Sequence, residues 1–442
     1  MGYFNRKIDS SLQQWSNEKR RKPLMLRGAR QVGKTSAVRN LGKYFNGFVE
    51  INFENKDHAA AKTVFSQHSD PKIICSELSA LFGKPITPGK TLLFLDEIQN
   101  CTDAIASLRY FYEQMPELHV IAAGSLLEFA LEEIPSFGVG RIDSMYMYPF
   151  SFSEFLCATG REMWVQLIDE ATPDRPVPDA IHEKIVEQLK NFFIIGGMPE
   201  VVAEFVETHD FLRCQKVLHS LLVSFRNDFA KYKKRIPAAR INEVFSSVSQ
   251  QAEGKFVYEH VAQNLTNEQV KKSLELLLMA GLCYQVTHSS ADGAPLGARI
   301  NPKCRRIIPF DTGIYQRILN LDISDILLSN DFDTINKGAV AEIFTGCELK
   351  KNTSCYIDDE LYCWVREKKN AHAQIDFVVQ RNGAIVPVEV KSGKQGKMQS
   401  MWAFLEEKNA SYGIRTSLEN FSKYQKINVY PLYAIGNIVI NS

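Results

Sequence analysis

The chain has 442 residues, 45% of them hydrophobic and 23% charged, and a formal net charge of +1. At ~150 residues per domain the length suggests about three domains. The balanced charge excludes a chain drawn as a whole to nucleic acid or anionic lipid, though not a local basic patch. No apolar run approaches the ~20 residues that span a bilayer, and the nine scattered cysteines form no C-x-x-C pair, which excludes the common zinc patterns.

In chain order, the opening MGYFNRKIDS lacks the apolar core of a signal peptide. Arg6 stands where a myristoylation signal places Ser or Thr, so a cytoplasmic protein with no membrane partner and reduced thiols is expected. KPLMLRG (22–28) is a short apolar run ending in glycine, and KTSAVRNLGKYF after it is helical. FVEINF (48–53), TLLFLDE (91–97) and HVIAAGS (119–125) continue the alternation. Strands alternating with helices predict an α/β fold, a parallel sheet with helices on its faces. In YPFSFSEF, Ser151 and Glu154 have capping-box spacing. Residues 160–235 read as helical, interrupted at GGMPEVV (196–202).

In LTNEQVKKSLELLLMAGLCYQV (265–286), Thr266 and Gln269 can cap a helix, and Val270, Leu274, Leu277 and Leu278 fall on one face. Gly281 can stop that helix, and LCYQV reads as a strand. HSSADGAPLGAR (288–299) is the most loop-like stretch. Beyond it come a helix, NKGAVAEIFTGCELKK, and three candidate strands, CWVRE, QIDFVVQ and AIVPVEVK. Asn382-Gly383 between the last two is a hairpin signal. The expected divisions are 1–160, 161–235, 236–300 and 301–442.

GARQVGKT fits G-x-x-x-x-G-K-[ST], so Gly28, Ala29, Arg30, Gln31, Val32, Gly33, Lys34 and Thr35 are candidate nucleotide-binding residues. Gly28 and Gly33 let backbone N–H groups turn around phosphate oxygens, and a helix N-terminus adds favourable partial charge. Lys34 would reach the β and γ phosphates, and Thr35 would ligate Mg2+. LLFLDE buries a strand from whose end Asp96 can hold Mg2+ and Glu97 can take a proton from water. The plain alternative is a core strand ending in two solvated acids. Ser125 can sense the γ phosphate or be a small turn residue. Arg141 can be an arginine finger, in cis or from a neighbouring subunit, or an exposed loop arginine.

GARQVGKT, FLDEIQ, AAGSLLEFAL, GRID, YPFSFSEF, GGMPEVV and PFDTGIYQ follow one another in an order that resembles a prokaryotic, STAND-related family of AAA+-like P-loop ATPases. That family carries a C-terminal domain of unknown function related to restriction endonucleases. The resemblance implies a P-loop NTPase sheet (residues 1–160) with an extra strand between the phosphate loop and the acid pair, and a helical lid (161–235). It implies ATP and Mg2+ as cofactors, and Pro199 as part of a G-x-P element that approaches adenine. Without the family, GGMP is a helix-breaking turn.

The tail hairpin contains Asp376, Glu389 and Lys391, which match the D…E-x-K pattern of the restriction-endonuclease-like, PD-(D/E)XK superfamily. Glu389 and Lys391 share a strand face, with Asp376 on the partner strand. Asp376 and Glu389 would bind Mg2+, with Lys391 steadying water or phosphate charge. Glu342 matches an acidic residue that this superfamily often adds. The alternative makes Glu389 and Lys391 the wet face of a strand buried by Val386, Val388 and Val390. The unit at 236–300 resembles a winged helix, with Lys271 and Lys272 on an exposed helix face. KYKKR (231–235) is the densest basic run, and either can contact DNA phosphates or be a solvated face. ATP, DNA, a protein partner and further copies of the chain are the candidate partners. The alternative function is a slow nucleotide switch whose catalytically silent tail binds a protein.

Overall fold

The computed structural model describes residues 2–125, 127–128, 131, 140–232, 236–321, 337–366, 373–391 and 398–440. Two units separate in it: residues 1–148 together with 355–358, and residues 149–354 together with 359–442. The first contains α1 (Ile8–Asn17), β1 (Leu24–Arg27), α2 (Lys34–Gly42), β2 (Gly47–Asn52), α3 (Ala59–Gln67), α4 (Pro71–Phe82), β3 (Thr91–Asp96), α5 (Thr102–Gln114), β4 (His119–Ala123) and β5 (Asp143–Tyr146).

These five strands form one sheet in the order β2-β3-β4-β1-β5, with every neighbouring pair parallel. Parallel strands need helical crossovers that cover both faces, which is why β3 and β4 are apolar runs with every residue buried. On one face Ile51, Leu93, Leu95 and Val120 pack with Phe65 of α3, Ile74 and Leu78 of α4, and Ile105 and Leu108 of α5. Local signals set the helix ends. The Asp70 side chain accepts from the Lys72 N–H, Pro71 opens α4, and Gly83 closes it at φ 63°. As expected, β4 lies between the strand of the phosphate loop and the strand of the acid pair. Residues 355–358 run along β5, where the Tyr146 N–H donates to the Cys355 carbonyl at 2.7 Å.

The second unit holds an eight-stranded mixed sheet and the helices around it. Its strands are β6 (Cys283–Ser289), β7 (Ile300–Pro309), β8 (Leu361–Val365), β9 (Gln374–Arg381), β10 (Ala384–Val390), β11 (Gly413–Ser417), β12 (Ser422–Tyr424) and β13 (Ile427–Pro431). Their order is β12-β13-β11-β10-β9-β8-β6-β7. Asn382 (φ 49°) and Gly383 (φ 76°) turn β9 into β10 with both residues left-handed, as a type I′ hairpin requires. Both capping boxes form, Ser151 with Glu154 and Thr266 with Gln269.

The four expected divisions differ from these two units. The helix Phe152–Ala158, expected in the first division, belongs to the second unit. No separate body is cut at residue 300, because β6 pairs antiparallel with β7 and parallel with β8. The loop-like stretch is the connection between β6 and β7, although His288 and Ser289 still belong to β6. On the helix Asn267–Met279, Leu276 is buried, whereas Leu278 is only partly covered. Several expectations lie outside the described residues: Lys233, Lys234 and Arg235 of KYKKR; Leu126, Phe129 and Ala130 of AAGSLLEFAL; and Glu367 of CWVRE. Among the described residues no helix is long and apolar enough to cross a membrane.

Candidate functional site

The C-terminal ends of β1, β4 and β3 carry the first constellation, the edge of a parallel sheet where ligands bind. Gly28 (φ 139°), Gln31 (φ 64°) and Gly33 (φ 104°) all have positive φ, which curls the loop and turns successive N–H groups to one side. A Cβ on Gly28 would stand 2.1 Å from the Met147 carbonyl oxygen, so the loop's first turn admits no side chain. Gly33 is the N-cap of α2 and offers no side chain to its first N–H groups. Those groups and the helix dipole form an anion site.

Lys34 is buried, and its Nζ donates to the Gly28 carbonyl at 2.8 Å and the Ala29 carbonyl at 2.7 Å. Burial brings its pKa down to about 8, although the Glu97 and Asp96 charges oppose the fall. The Thr35 hydroxyl donates to Asp96 Oδ2 at 3.1 Å. Asp96 is itself buried, and its carboxyl is pushed up to about 6 by burial and then by Glu97, against the Thr35 hydrogen bond. Glu97 leaves β3 in the left-handed conformation, at φ 50°. Ser125 is buried just beyond β4, between the phosphate-loop strand and the acid strand.

Three residues of this unit escaped the sequence reading, and a fourth, Arg141, takes one of the places it allowed. The Asn52 amide, at the end of β2, donates to Asp96 Oδ2 at 3.2 Å. The Gln99 amide donates to Glu97 Oε2 at 2.6 Å, and Gln99 Oε1 is buried without a partner. Arg6 is buried and donates to the Val32 carbonyl at 3.0 Å and the Tyr148 carbonyl at 2.8 Å, bracing the phosphate loop from outside. Asn52 lies within FVEINF and Gln99 ends FLDEIQ, so a polar residue at or just past a strand end was the available signal. Arg141 does not join the group within its own chain. It precedes β5, whose Asp143 stands opposite Leu24, whereas the phosphate loop follows Arg27 at the other end. That is roughly 15–20 Å along the strand direction, and the Arg141 Nε pairs with Glu113 at 2.5 Å instead.

The loop implies a nucleotide with a divalent cation, and the residues fit both. The Thr35 hydroxyl and the Asp96 carboxylate are 3.1 Å apart, and both are hard oxygen donors. A Mg2+ held by Thr35 and Asp96 would supply positive charge to offset that of the phosphates. Pro199 opens the helix Pro199–Thr208 in the second unit. The corner before it is tightly built. The Gly197 N–H donates to Asp311 at 2.6 Å, and a Cβ on Gly197 would lie 2.3 Å from the Phe150 carbonyl oxygen.

The second constellation lies on β9, β10 and the helix Lys337–Lys351. Val388 pairs with Phe377, which brings Glu389 level with Asp376. Asp376 Oδ2 accepts from the Val390 N–H at 2.8 Å, and Lys391 pairs with Glu389 Oε1 at 2.7 Å. Glu389 is buried, so β10 has no wet face at this point. Arg306 of β7, absent from the expected set, is buried among these groups. Its guanidinium donates to Glu342 and to the Asp376 carbonyl, and lies 5.3 Å from the centre of the Phe377 ring. Burial and then Asp376 push Glu342 up to about 7, against Arg306. Burial also raises Asp376 and Glu389, the Arg306 charge opposing the first shift and Lys391 the second.

Asp376 and Glu389, the pair expected to hold a divalent cation, each lie beside a side-chain cation, Arg306 for the first and Lys391 for the second. The Arg306 and Lys391 cations already face the acids.

Comparison with known proteins divides the chain in three. Residues 20–156 match the family model of an AAA domain. Residues 186–325 match a domain of unknown function, DUF8612, and residues 337–435 match another, DUF4143. Among solved structures, the Walker-type ATPase PABY2304 of Pyrococcus abyssi is 17% identical over 72% of this chain and 96% of that one, with a TM-score of 0.45. The Aeropyrum pernix ORC1 protein in complex with DNA is 10% identical over 73% of this chain and 92% of that one, with a TM-score of 0.28. No curated protein matches the chain.

Proposed function

We propose, from the AAA domain over residues 20–156, that this protein binds ATP with Mg2+ and hydrolyses it. The observation that carries the reading is the Thr35–Asp96 contact at 3.1 Å beside an uncapped helix N-terminus and a curled glycine loop. Residues 28–35 wrap the triphosphate, Lys34 meets its terminal phosphates, and Thr35 and Asp96 hold the cation. Glu97 takes the proton of the attacking water, and Ser125 reads the γ phosphate. Arg141 serves a neighbouring copy of the chain, since it stands at the far end of its own sheet.

Calorimetry with ATP and Mg2+ tests this. Lys34→Ala should weaken binding roughly 100-fold or more, because it removes a charge-assisted contact from a buried site. Equal affinity in the two proteins would end the assignment. Glu97→Gln should bind normally and lose turnover by roughly 100-fold to 10,000-fold.

A second reading, a slow nucleotide switch whose tail does no chemistry, is favoured by the Arg306 guanidinium buried among the tail acids. Turnover unchanged by DNA, with a protein captured in one nucleotide state only, is its signature. Stimulation by DNA would instead favour a tail that works on nucleic acid.

A further inference from the structure

Three acids meet in the tail: Glu342 from the helix Lys337–Lys351, Asp376 from β9 and Glu389 from β10. Such a group, buried and negative, must be neutralised by protons, by a bound cation or by side-chain cations. Three side-chain cations bear on it: Arg306, Lys391 and, opposite Glu389 on β11, the buried Arg415. Lys391 takes one Glu389 oxygen at 2.7 Å. Arg306 is buried, donates through one nitrogen to Glu342 and through another to the Asp376 carbonyl, and is covered by the Phe377 ring at 5.3 Å. A guanidinium is suited to this place. It stays charged in an apolar setting and aims several donors in fixed directions. Asp376 spends its Oδ2 on the Val390 N–H at 2.8 Å, so it too is turned inward. Glu389 Oε2 is the acid oxygen left buried without a partner.

We infer that Arg306 is the resident cation of this cluster, standing where a divalent metal would otherwise balance the acids, and that the cluster takes up no such metal. The acids contribute at most three negative charges, and Arg306, Lys391 and Arg415 supply three positive ones, so a dication added to them would leave the group with a net positive charge. The cluster thus acts as an ionic lock joining β7, β9 and the helix Lys337–Lys351, rather than as a hydrolytic centre. This deepens the silent-tail reading. It is tested without nucleotide, so that its failure leaves the ATPase assignment untouched.

The experiment is Mn2+ binding to the full-length, nucleotide-free chain, followed by electron paramagnetic resonance. It is run in an Asp96→Asn background, so that the phosphate-loop site does not contribute. The parent chain should show no bound Mn2+ that Asp376→Asn removes. Arg306→Ala should gain one Mn2+ per chain, bound roughly tenfold or more tighter than by the parent, and lose it again when combined with Asp376→Asn. Arg306→Lys, which keeps the charge, should resemble the parent, and Arg306→Gln, which removes the charge but keeps much of the side chain, takes the place of the alanine variant if that does not fold. One equivalent of Mn2+ bound by the parent and abolished by Asp376→Asn would overturn the inference. So would a folded Arg306→Ala chain that gains no metal.

Discussion

The Thr35 hydroxyl and the Asp96 carboxylate touch across two strands of the first sheet, 3.1 Å apart, although 60 residues separate them in the chain. The contact ties the start of α2 to the end of β3, the two places where a nucleotide and its cation would meet protein. It also makes the site sensitive to protons, because Asp96 is a buried acid.

Affinity for ATP with Mg2+ should therefore depend on pH from both sides. The site needs Asp96 ionised and Lys34 protonated, and these groups sit at about 6 and about 8. Binding should be level between those values. Below the lower one it should weaken by about tenfold per pH unit as Asp96 takes up a proton, and above the upper one similarly as Lys34 loses its own. Calorimetry from pH 5 to 9 measures this (about five points suffice). Asp96→Asn should flatten the acid arm, and an unchanged acid arm would assign it to another group.

Gly28→Ala should damage the loop more than its size suggests. The added methyl would sit 2.1 Å from the Met147 carbonyl oxygen, at a φ of 139° that residues with side chains avoid. A loss of about 1–3 kcal/mol in stability, together with lost ATP binding, is expected in chemical denaturation and calorimetry.

Gln99 holds Glu97 by a 2.6 Å hydrogen bond and presses its own oxygen toward Gly124, where an added Cβ would lie 2.0 Å away. Gln99→Ala should leave ATP affinity within about twofold and lower kcat by roughly tenfold, a smaller effect than Glu97→Gln. A fall in affinity with kcat intact would show that Gln99 shapes the pocket rather than positioning Glu97.

His119 should make the first unit acid-sensitive. Its Nε2 lies 3.0 Å from the Ser16 carbonyl and its Nδ1 3.2 Å from Arg21, contacts that suit a neutral ring donating to one and accepting from the other. Burial brings its pKa down to about 4 from 6.5. Between those two values the unfolded chain binds more protons than the folded one. Stability is therefore fully present above 6.5 and is lost as the pH falls toward 4. The melting midpoint of His119→Gln should vary less than that of the parent over this window.

In the second unit, Asp311 accepts from the Gly197 N–H at 2.6 Å and the Ile314 N–H at 3.0 Å, in a buried place. Asp311→Ala leaves both donors unsatisfied and should destabilise by about 1–3 kcal/mol. Urea denaturation followed by tryptophan fluorescence measures it. A variant as stable as the parent would mean that water replaces the carboxylate.

The legible features were local ones. GARQVGKT, the apolar run ending in Asp96, both capping boxes and Asn382-Gly383 each carry their geometry within a few neighbouring residues, and each forms. The residues that escaped notice act over distance. Arg6 reaches Val32 and Tyr148, Asn52 reaches Asp96, and Arg306 reaches Glu342 and Asp376. Nothing in the residues beside them marks those partners. Arg141, left open as a finger in cis, in trans or as an exposed loop residue, lies near the start of β5 beside Glu113, and a motif's order along the chain does not say which end of a strand it occupies. The pairing of β6 with β8 spans more than 70 intervening residues and has no local signal either.

That pairing governs how the protein tolerates being cut. Severing it near residue 300 would strip β6 from both β7 and β8 and bare a row of amide and carbonyl groups on each. Fragments made at that tempting loop should aggregate, whereas the intact sheet buries the same edges between its own strands.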